Sequence, residues 1–129
     1  MIVLDTDVLI EIFDKESSKG DEALNRIRAS GQAVAITSIN FHEIMYGLAK
    51  YSRPVSAVAQ LPVISFTKED ASLSSRIELE AGRKGRAVRR TDAMIAAIAI
   101  MNGASLYSLD SHFETIESLK VGLKLFARS

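Results

Sequence analysis

Short apolar runs alternate with longer segments of helical periodicity along the 129-residue chain, and this alternation constrains the fold more than any other feature. Apolar residues spaced three and four apart predict amphipathic helices, most clearly over residues 41–49. We predict five strands at the apolar runs 2–4, 33–36, 62–66, 104–109 and 122–126. Strands separated by helices predict a three-layer α/β/α fold around a central, mostly parallel five-stranded sheet.

The length and composition are those of one ordinary globular domain, which we expect to span residues 1–129. Lys and Arg together number 16, as do Asp and Glu, so the net charge is zero. A protein that coats duplex nucleic acid is usually more basic, because backbone binding neutralises phosphates, so any nucleic-acid contact here should be local. The absence of cysteine excludes disulfides, thiolate catalysis and Cys-ligated zinc.

Nothing in the sequence predicts a secretory leader or a membrane span. The apolar start is cut short by Asp5 and Asp7 and lacks a basic flank. The longest apolar run, 93–101, has 9 residues, whereas a helix needs roughly 20 to cross a bilayer. We therefore expect a cytoplasmic protein without membrane contact.

Four acidic residues are placed to meet at one edge of the predicted sheet. Asp5 and Asp110 follow the first and fourth strands, and Glu43 lies in the helix after the second strand. Asp92 begins the helix that leads into the fourth strand. Since ligands of such sheets bind at the carboxyl ends of the strands, we expect the four carboxylates to converge there.

Each acid taken alone also has an ordinary structural interpretation. Asp5 and Asp7 would favour the positive end of a first helix, and Asp92 would do the same for a later helix. Asn40 and Glu43 fit a capping-box-like pattern at the start of their helix. The functional interpretation therefore depends on the set of acids and not on any one of them.

A cluster of carboxylates needs protons or a cation to be stable. Two carboxylates ~4 Å apart repel by roughly 4 kcal/mol at an effective dielectric constant near 20. Oxygen ligands without cysteine or obligatory histidine suit Mg²⁺ or Mn²⁺. Such an ion activates water and stabilises charge on a phosphoryl group, so the predicted chemistry is hydrolysis of a phosphodiester.

Four segments resemble the motifs of the PIN-domain ribonucleases, in the order in which that family has them, and together they span most of the chain. The segments are IVLDTDVLI at 2–10, AITSINFHEIMYGL at 35–48, RTDAMIAAIA at 90–99 and LYSLDSHF at 106–113. The resemblance implies supporting hydroxyls at Thr6 and Ser108. It also implies that four catalytic acids hold Mg²⁺ or Mn²⁺, namely Asp5, Glu43, Asp92 and Asp110.

The resemblance is strongest to VapC toxins of VapBC toxin–antitoxin pairs. It implies a metal-dependent endoribonuclease that cleaves single-stranded or structured RNA. It further implies a homodimer and a small VapB-like antitoxin as partner. The segment between Gly47 and Pro62 is shorter than is common in such toxins, at the place expected to contact antitoxin and substrate. A housekeeping RNA-processing enzyme would carry the same motifs.

Five basic residues fall within eight positions, at 83, 84, 86, 89 and 90. They form either a solvated turn around Gly82 and Gly85 or a phosphate-binding patch beside the predicted site. In the second interpretation the RNA-binding residues are Arg86, Arg89 and Arg90.

Three other functions are compatible with parts of the sequence. Asp5-Thr6-Asp7-Val8 matches the opening motif of haloacid-dehalogenase-type phosphotransferases, but the later lysine and acidic pair of that family have no clear counterpart. A phosphoacceptor receiver domain would need an acceptor Asp after a middle strand, where this chain has Thr37 and Ser38. A catalytically inactive PIN fold that binds RNA or protein would retain the same motifs.

Overall fold

The computed structural model describes residues 1–127 and contains a five-stranded sheet. The strands are Ile2–Leu4 (β1), Val34–Thr37 (β2), Val63–Ile64 (β3), Ser105–Tyr107 (β4) and Lys124–Leu125 (β5). Their order in the sheet is β3-β2-β1-β4-β5, and every neighbouring pair is parallel. The predicted α/β fold is confirmed, with a wholly parallel sheet where a mostly parallel one was expected.

Helices connect the strands throughout. They are Thr6–Leu9 (α1), Ser18–Ser30 (α2), Ser38–Lys50 (α3), Ser56–Ala59 (α4), Lys68–Arg83 (α5), Arg90–Met101 (α6) and Glu114–Ser118 (α7). A π-helical turn over Ile10–Asp14 continues α1. The apolar spacing of Val8, Leu9, Ile12 and Phe13 indicates a helix over α1 and this turn, whereas the four-residue α4 was not predicted. The short segment between Gly47 and Pro62 contains the end of α3 and all of α4.

The helices form one layer on each face of the sheet. Successive side chains of a strand point to opposite faces, so Ile2 and Leu4 of β1 pack in one core and Val3 packs in the other. The core around Ile2 and Leu4 includes side chains from α1 to α4. The core around Val3 includes side chains from α5, α6 and α7. The predicted three-layer arrangement is therefore confirmed.

Helix starts hold the polar side chains near the strand ends. Thr37 caps α3 and exchanges hydrogen bonds with Asn40, and Thr67 forms the same capping box with Asp70 at α5. The predicted capping pair of Asn40 and Glu43 is thus wrong, because the helix begins three residues earlier and Asn40 closes the box.

The other differences from prediction concern element ends. Strand β4 stops at Tyr107, so Asp110 lies in a bend three residues beyond it. The outer strands β3 and β5 have only two residues each, since an edge strand has a pairing partner on one side only. Helix α6 begins at Arg90 and places Asp92 in its first turn. Within residues 1–127, no helix has the length and apolar composition of a membrane span.

Two glycines in helices allow a matched test of this packing. A Cβ at Gly20 of α2 would lie 2.3 Å from the backbone oxygen of Glu11, in the π-helical turn, whereas a Cβ at Gly47 of α3 meets no atom within 4 Å. We expect Gly20→Ala to lower the free energy of unfolding by about 1–3 kcal/mol through overpacking. Gly47→Ala should instead raise it by up to ~1 kcal/mol through helix propensity. Urea unfolding measures both, and equal effects would contradict the close approach at Gly20.

Candidate functional site

The carboxyl end of β1 is the point where the chain can present side chains from several elements at once. β1 lies between β2 and β4, and the connections from these strands lie on opposite faces, which leaves a crevice at the carboxyl edge. Asp5 follows β1 directly, and its N–H donates to the carbonyl oxygen of Tyr107 at 2.9 Å. The backbone thus fixes Asp5 against the end of β4.

Three carboxylates meet in this crevice. Asp5, Asp7 and Asp110 each offer one oxygen, and these oxygens all lie within 4.8 Å of one another. Asp5 is the most buried, at 8% exposed, while Asp110 lies at the surface. Glu43 and Asp92 are outside this group of three.

Neutral donors hold the three acids in place. The Ser108 hydroxyl lies 3.1 Å from Asp5 Oδ2, 3.2 Å from Asp7 Oδ2 and 3.4 Å from Asp110 Oδ1, so one proton is shared among three acceptors. The Leu109 N–H donates to Asp7 Oδ2 at 3.0 Å, and the His112 N–H donates to Asp110 Oδ1 at 2.8 Å. The bend after β4 therefore orients the acids that follow β1.

Asp7 is the member of the cluster that sequence reasoning missed. It lies in the first turn of α1, as the helix-dipole interpretation required, and also points into the acid cluster. Its Oδ1 is the one buried side-chain polar atom in residues 1–127 that lacks a hydrogen-bond partner. An unsatisfied buried carboxylate oxygen is costly, and a cation would satisfy it. The sequence feature that could have identified Asp7 as a member of the cluster is its position two residues after Asp5, which directly follows β1.

Glu43 is connected to the cluster through hydroxyl and amide groups. The Thr6 hydroxyl donates to Glu43 Oε1 at 2.7 Å. The Asn40 amide donates to Thr6 Oγ1 at 3.1 Å and to Asp5 Oδ1 at 3.3 Å. Asn40 is fully buried and was not among the predicted site residues. It connects the capping box of α3 to the first acid.

Asp92 is 7% exposed and is paired with Arg89, whose Nε donates to Asp92 Oδ2 at 3.1 Å. Arg89 Nη2 also lies 2.7 Å from Nδ1 of His112, which is in turn 3.2 Å from Asp110 Oδ2. The Asp92 carboxylate, with smaller effects from Asp110 and Asp5, raises the pKa of Arg89. Arg89 is therefore the positive charge at the rim of the acid cluster.

Burial and crowding change the acidity of the two inner carboxyls. Burial, then the Asp7 carboxylate, raises the pKa of Asp5 from 3.8 to about 7, and Asp92 contributes in the same direction. Burial is also the largest cause of the raised pKa of Asp7, to which Asp110 adds. Both shifts show that negative charge is unfavourable here without a cation.

The three predicted RNA-binding arginines contact different partners. Arg89 is at the acid cluster, but Arg90 makes a two-point contact with Glu78 of α5, at 3.1 Å for each nitrogen. Arg86 lies 3.5 Å from the Ser118 hydroxyl, next to α7. Only Arg89 of the three contacts a predicted site residue in residues 1–127.

The arrangement is suited to holding a hard divalent cation at an open rim. Its ligand atoms are carboxylate oxygens, the type that Mg²⁺ and Mn²⁺ prefer. The innermost acid is buried, while Asp110 and Arg89 are accessible from solvent. A phosphate group could therefore approach the acids from outside.

Comparison with known proteins agrees with the α/β fold described above. The family model described as PIN domain matches residues 2–119. No curated protein matches the sequence.

Several solved structures share the fold. VapBC2 from Rickettsia felis, bound to a DNA fragment from its promoter, is 23% identical, with 97% of each chain covered and a TM-score of 0.77. A toxin–antitoxin complex from Klebsiella pneumoniae is 24% identical over 88% of this chain and 90% of the other, with a TM-score of 0.73. VapC20 from Mycobacterium tuberculosis, a sarcin–ricin loop cleaving toxin, is 20% identical over 97% and 98%, with a TM-score of 0.66.

The raised pKa of Asp5 predicts an unusual pH dependence of stability in the absence of metal. The folded state keeps the Asp5 proton up to about pH 7, whereas the unfolded state releases it near 3.8. Stability should therefore fall as pH rises from 4 to 7, by on the order of 4 kcal/mol. Asp5→Asn should remove this loss, so in EDTA its free energy of unfolding should exceed that of the wild type increasingly from pH 5 to 8. Asp21→Asn, an exposed acid on α2, is the control, and parallel curves for all three proteins would contradict the prediction.

Proposed function

The chain belongs to the PIN-domain family, and on that premise we propose that it is a divalent-metal-dependent endoribonuclease acting on single-stranded or structured RNA. The observation that carries the proposal is the cluster of Asp5, Asp7 and Asp110, with its orphaned Asp7 oxygen. Buried like charges of this kind are unfavourable in an apo protein unless a cation or a proton offsets them.

The ligand set we propose includes the four acids predicted from sequence, together with Asp7. Asp5, Asp7 and Asp110 are close enough to contact one ion. Glu43 and Asp92 complete the acidic rim, since Glu43 is bonded to Thr6 and Asp92 influences the pKa of Asp5. The oxygen donors favour Mg²⁺ or Mn²⁺ as cofactor.

The protein groups around these acids have separable roles in the proposed reaction. When bound, the ion supplies an activated water and stabilises charge on the phosphodiester. The Ser108 and Thr6 hydroxyls, as supporting groups, keep the carboxylates oriented by donating to them. Arg89 is exposed and stands beside Asp92, so its guanidinium can contact a substrate phosphate at the rim.

We further propose that the chain is a single-domain, cytoplasmic toxin of a type II toxin–antitoxin pair. The supporting observation is that the VapBC complex from R. felis and the toxin–antitoxin complex from K. pneumoniae share its fold over most of their length. On this proposal the partners are a small VapB-like antitoxin and a second copy of the chain.

RNA cleavage by the purified, antitoxin-free protein is the direct test. A fluorescent single-stranded RNA and a total RNA pool, which covers selective enzymes, are incubated with Mg²⁺, Mn²⁺ or EDTA. We expect cleavage with metal only, and a loss of ~100-fold or more in Asp92→Asn and Asp110→Asn. Asp21→Asn should cleave normally. A folded protein that binds RNA but cleaves neither substrate would be the inactive binding module.

Metal binding can be measured without activity. Because a ligand that binds only the folded state stabilises it, Mg²⁺ or Mn²⁺ at 100 times its Kd should add about 2.7 kcal/mol and raise the Tm. Asp7→Asn should abolish this rise, and Asp21→Asn should retain it. A wild-type Tm that stays constant across millimolar metal would rule out the proposed metal site.

A further inference from the structure

A groove between α5 and the start of α6 is the strongest feature that the proposed function leaves unexplained. Its volume is about 850 Å³, and Arg76, Leu79, Gly82, Arg83 and Arg90 are among the residues that line it. Arg76, Leu79 and Arg83 follow each other at intervals of three and four along α5, so they share one exposed face. The groove is therefore built mainly from one helix face.

The groove holds an excess of positive charge. Three arginines line it against a single acid, Glu78, which is already bonded to Arg90 through both oxygens. Within residues 1–127, Arg76 and Arg83 have no acid within ion-pair distance. The chain as a whole is neutral, so this is a local concentration of unpaired cations.

The groove and the acid cluster both have a contact at the start of α6. Arg89 and Arg90 are consecutive, yet Arg89 contacts Asp92 at the cluster and Arg90 contacts Glu78 in the groove. The positive end of the twelve-residue helix α6 lies between these two contacts. A polyanion bound at the acids can therefore pass over this turn and enter the groove at Arg90, which is bonded to Glu78, the one acid that lines the groove.

We propose that this groove binds the phosphodiester backbone of the RNA strand beyond the cleavage point, with Arg76 and Arg83 as its phosphate ligands. The proposal rests on the proposed ribonuclease function. The guanidinium group matches phosphate geometry with paired donors, and local phosphate contacts are the kind of binding that a neutral protein can provide. Leu79 and the side-chain-free Gly82 give the groove an apolar floor between the arginines, on which sugars or bases can rest.

A second copy of the chain is a poorer occupant of the groove. A two-fold interface places the same patch of both subunits together. Arg76 and Arg83 would then need acids from the same patch of the other copy, and Glu78, the one acid that lines the groove, is already bonded to Arg90. An RNA backbone is negatively charged, so it can pair with both arginines without any acid from the protein.

The test is the salt dependence of RNA binding. Binding of a fluorescent single-stranded RNA is measured by anisotropy in EDTA, where no cleavage is expected, over a series of KCl concentrations. The double variant Arg76→Gln/Arg83→Gln removes two contacts. Its slope of log K against log[KCl] should therefore be shallower by about 1.4, at roughly 0.7 per single-strand contact. With Mg²⁺, its KM should rise while kcat stays unchanged.

A charge-matched control makes the outcome specific. Lys15→Gln/Arg28→Gln removes two exposed charges on the opposite face of the sheet and should keep the wild-type slope. Equal slopes for the two double variants would overturn the groove proposal. A changed sedimentation coefficient of Arg76→Gln/Arg83→Gln with an unchanged slope would also overturn it and would identify a subunit interface. Wild-type protein that binds RNA without cleaving it would instead refute the proposed function, and the slopes would still decide the groove.

Discussion

Repulsion among carboxylates at the carboxyl end of β1 is the constraint on which the rest of the site depends. Asp5, Asp7 and Asp110 place oxygens within 4.8 Å of one another, and Asp5 is nearly buried. At such distances like charges in a partly buried site cost several kcal/mol. The surrounding elements offset part of this cost by donating hydrogen bonds from neutral groups, while one buried oxygen of Asp7 has no hydrogen-bond partner.

The donors come from different parts of the chain, so the site is a product of the whole fold. Ser108 and Leu109 follow β4, while Asn40 belongs to the capping box that starts α3. The same amide that closes the box also binds Asp5. Helix capping and acid positioning are therefore one network, and a change at Asn40 would act on both.

The sequence predicted the sheet, the layers and the meeting of Asp5 with Asp110, because strand ends in a parallel sheet share an edge. Asp7 was not predicted to join them, because an acidic residue at the start of a helix already has an ordinary structural role. The grouping of Arg86, Arg89 and Arg90 in the sequence did not reveal that each contacts a different side chain. Arg89 precedes α6 in an extended conformation and Arg90 is the first residue of the helix, and their side chains contact different acids. Only tertiary structure shows which side chain each arginine meets.

The hydrogen bond from Ser108 to Asp5 determines when the acid cluster can first assemble. It joins residues 103 positions apart in the chain, and β1 cannot complete its pairing until β4 exists. Contacts between distant residues form late in folding, because their loop must close first. A chain emerging from the ribosome therefore carries Asp5 and Asp7 without an assembled acid cluster until β4 and Asp110 have followed. The three carboxylates can therefore come together only after the segment up to Asp110 has been made and has folded onto β1.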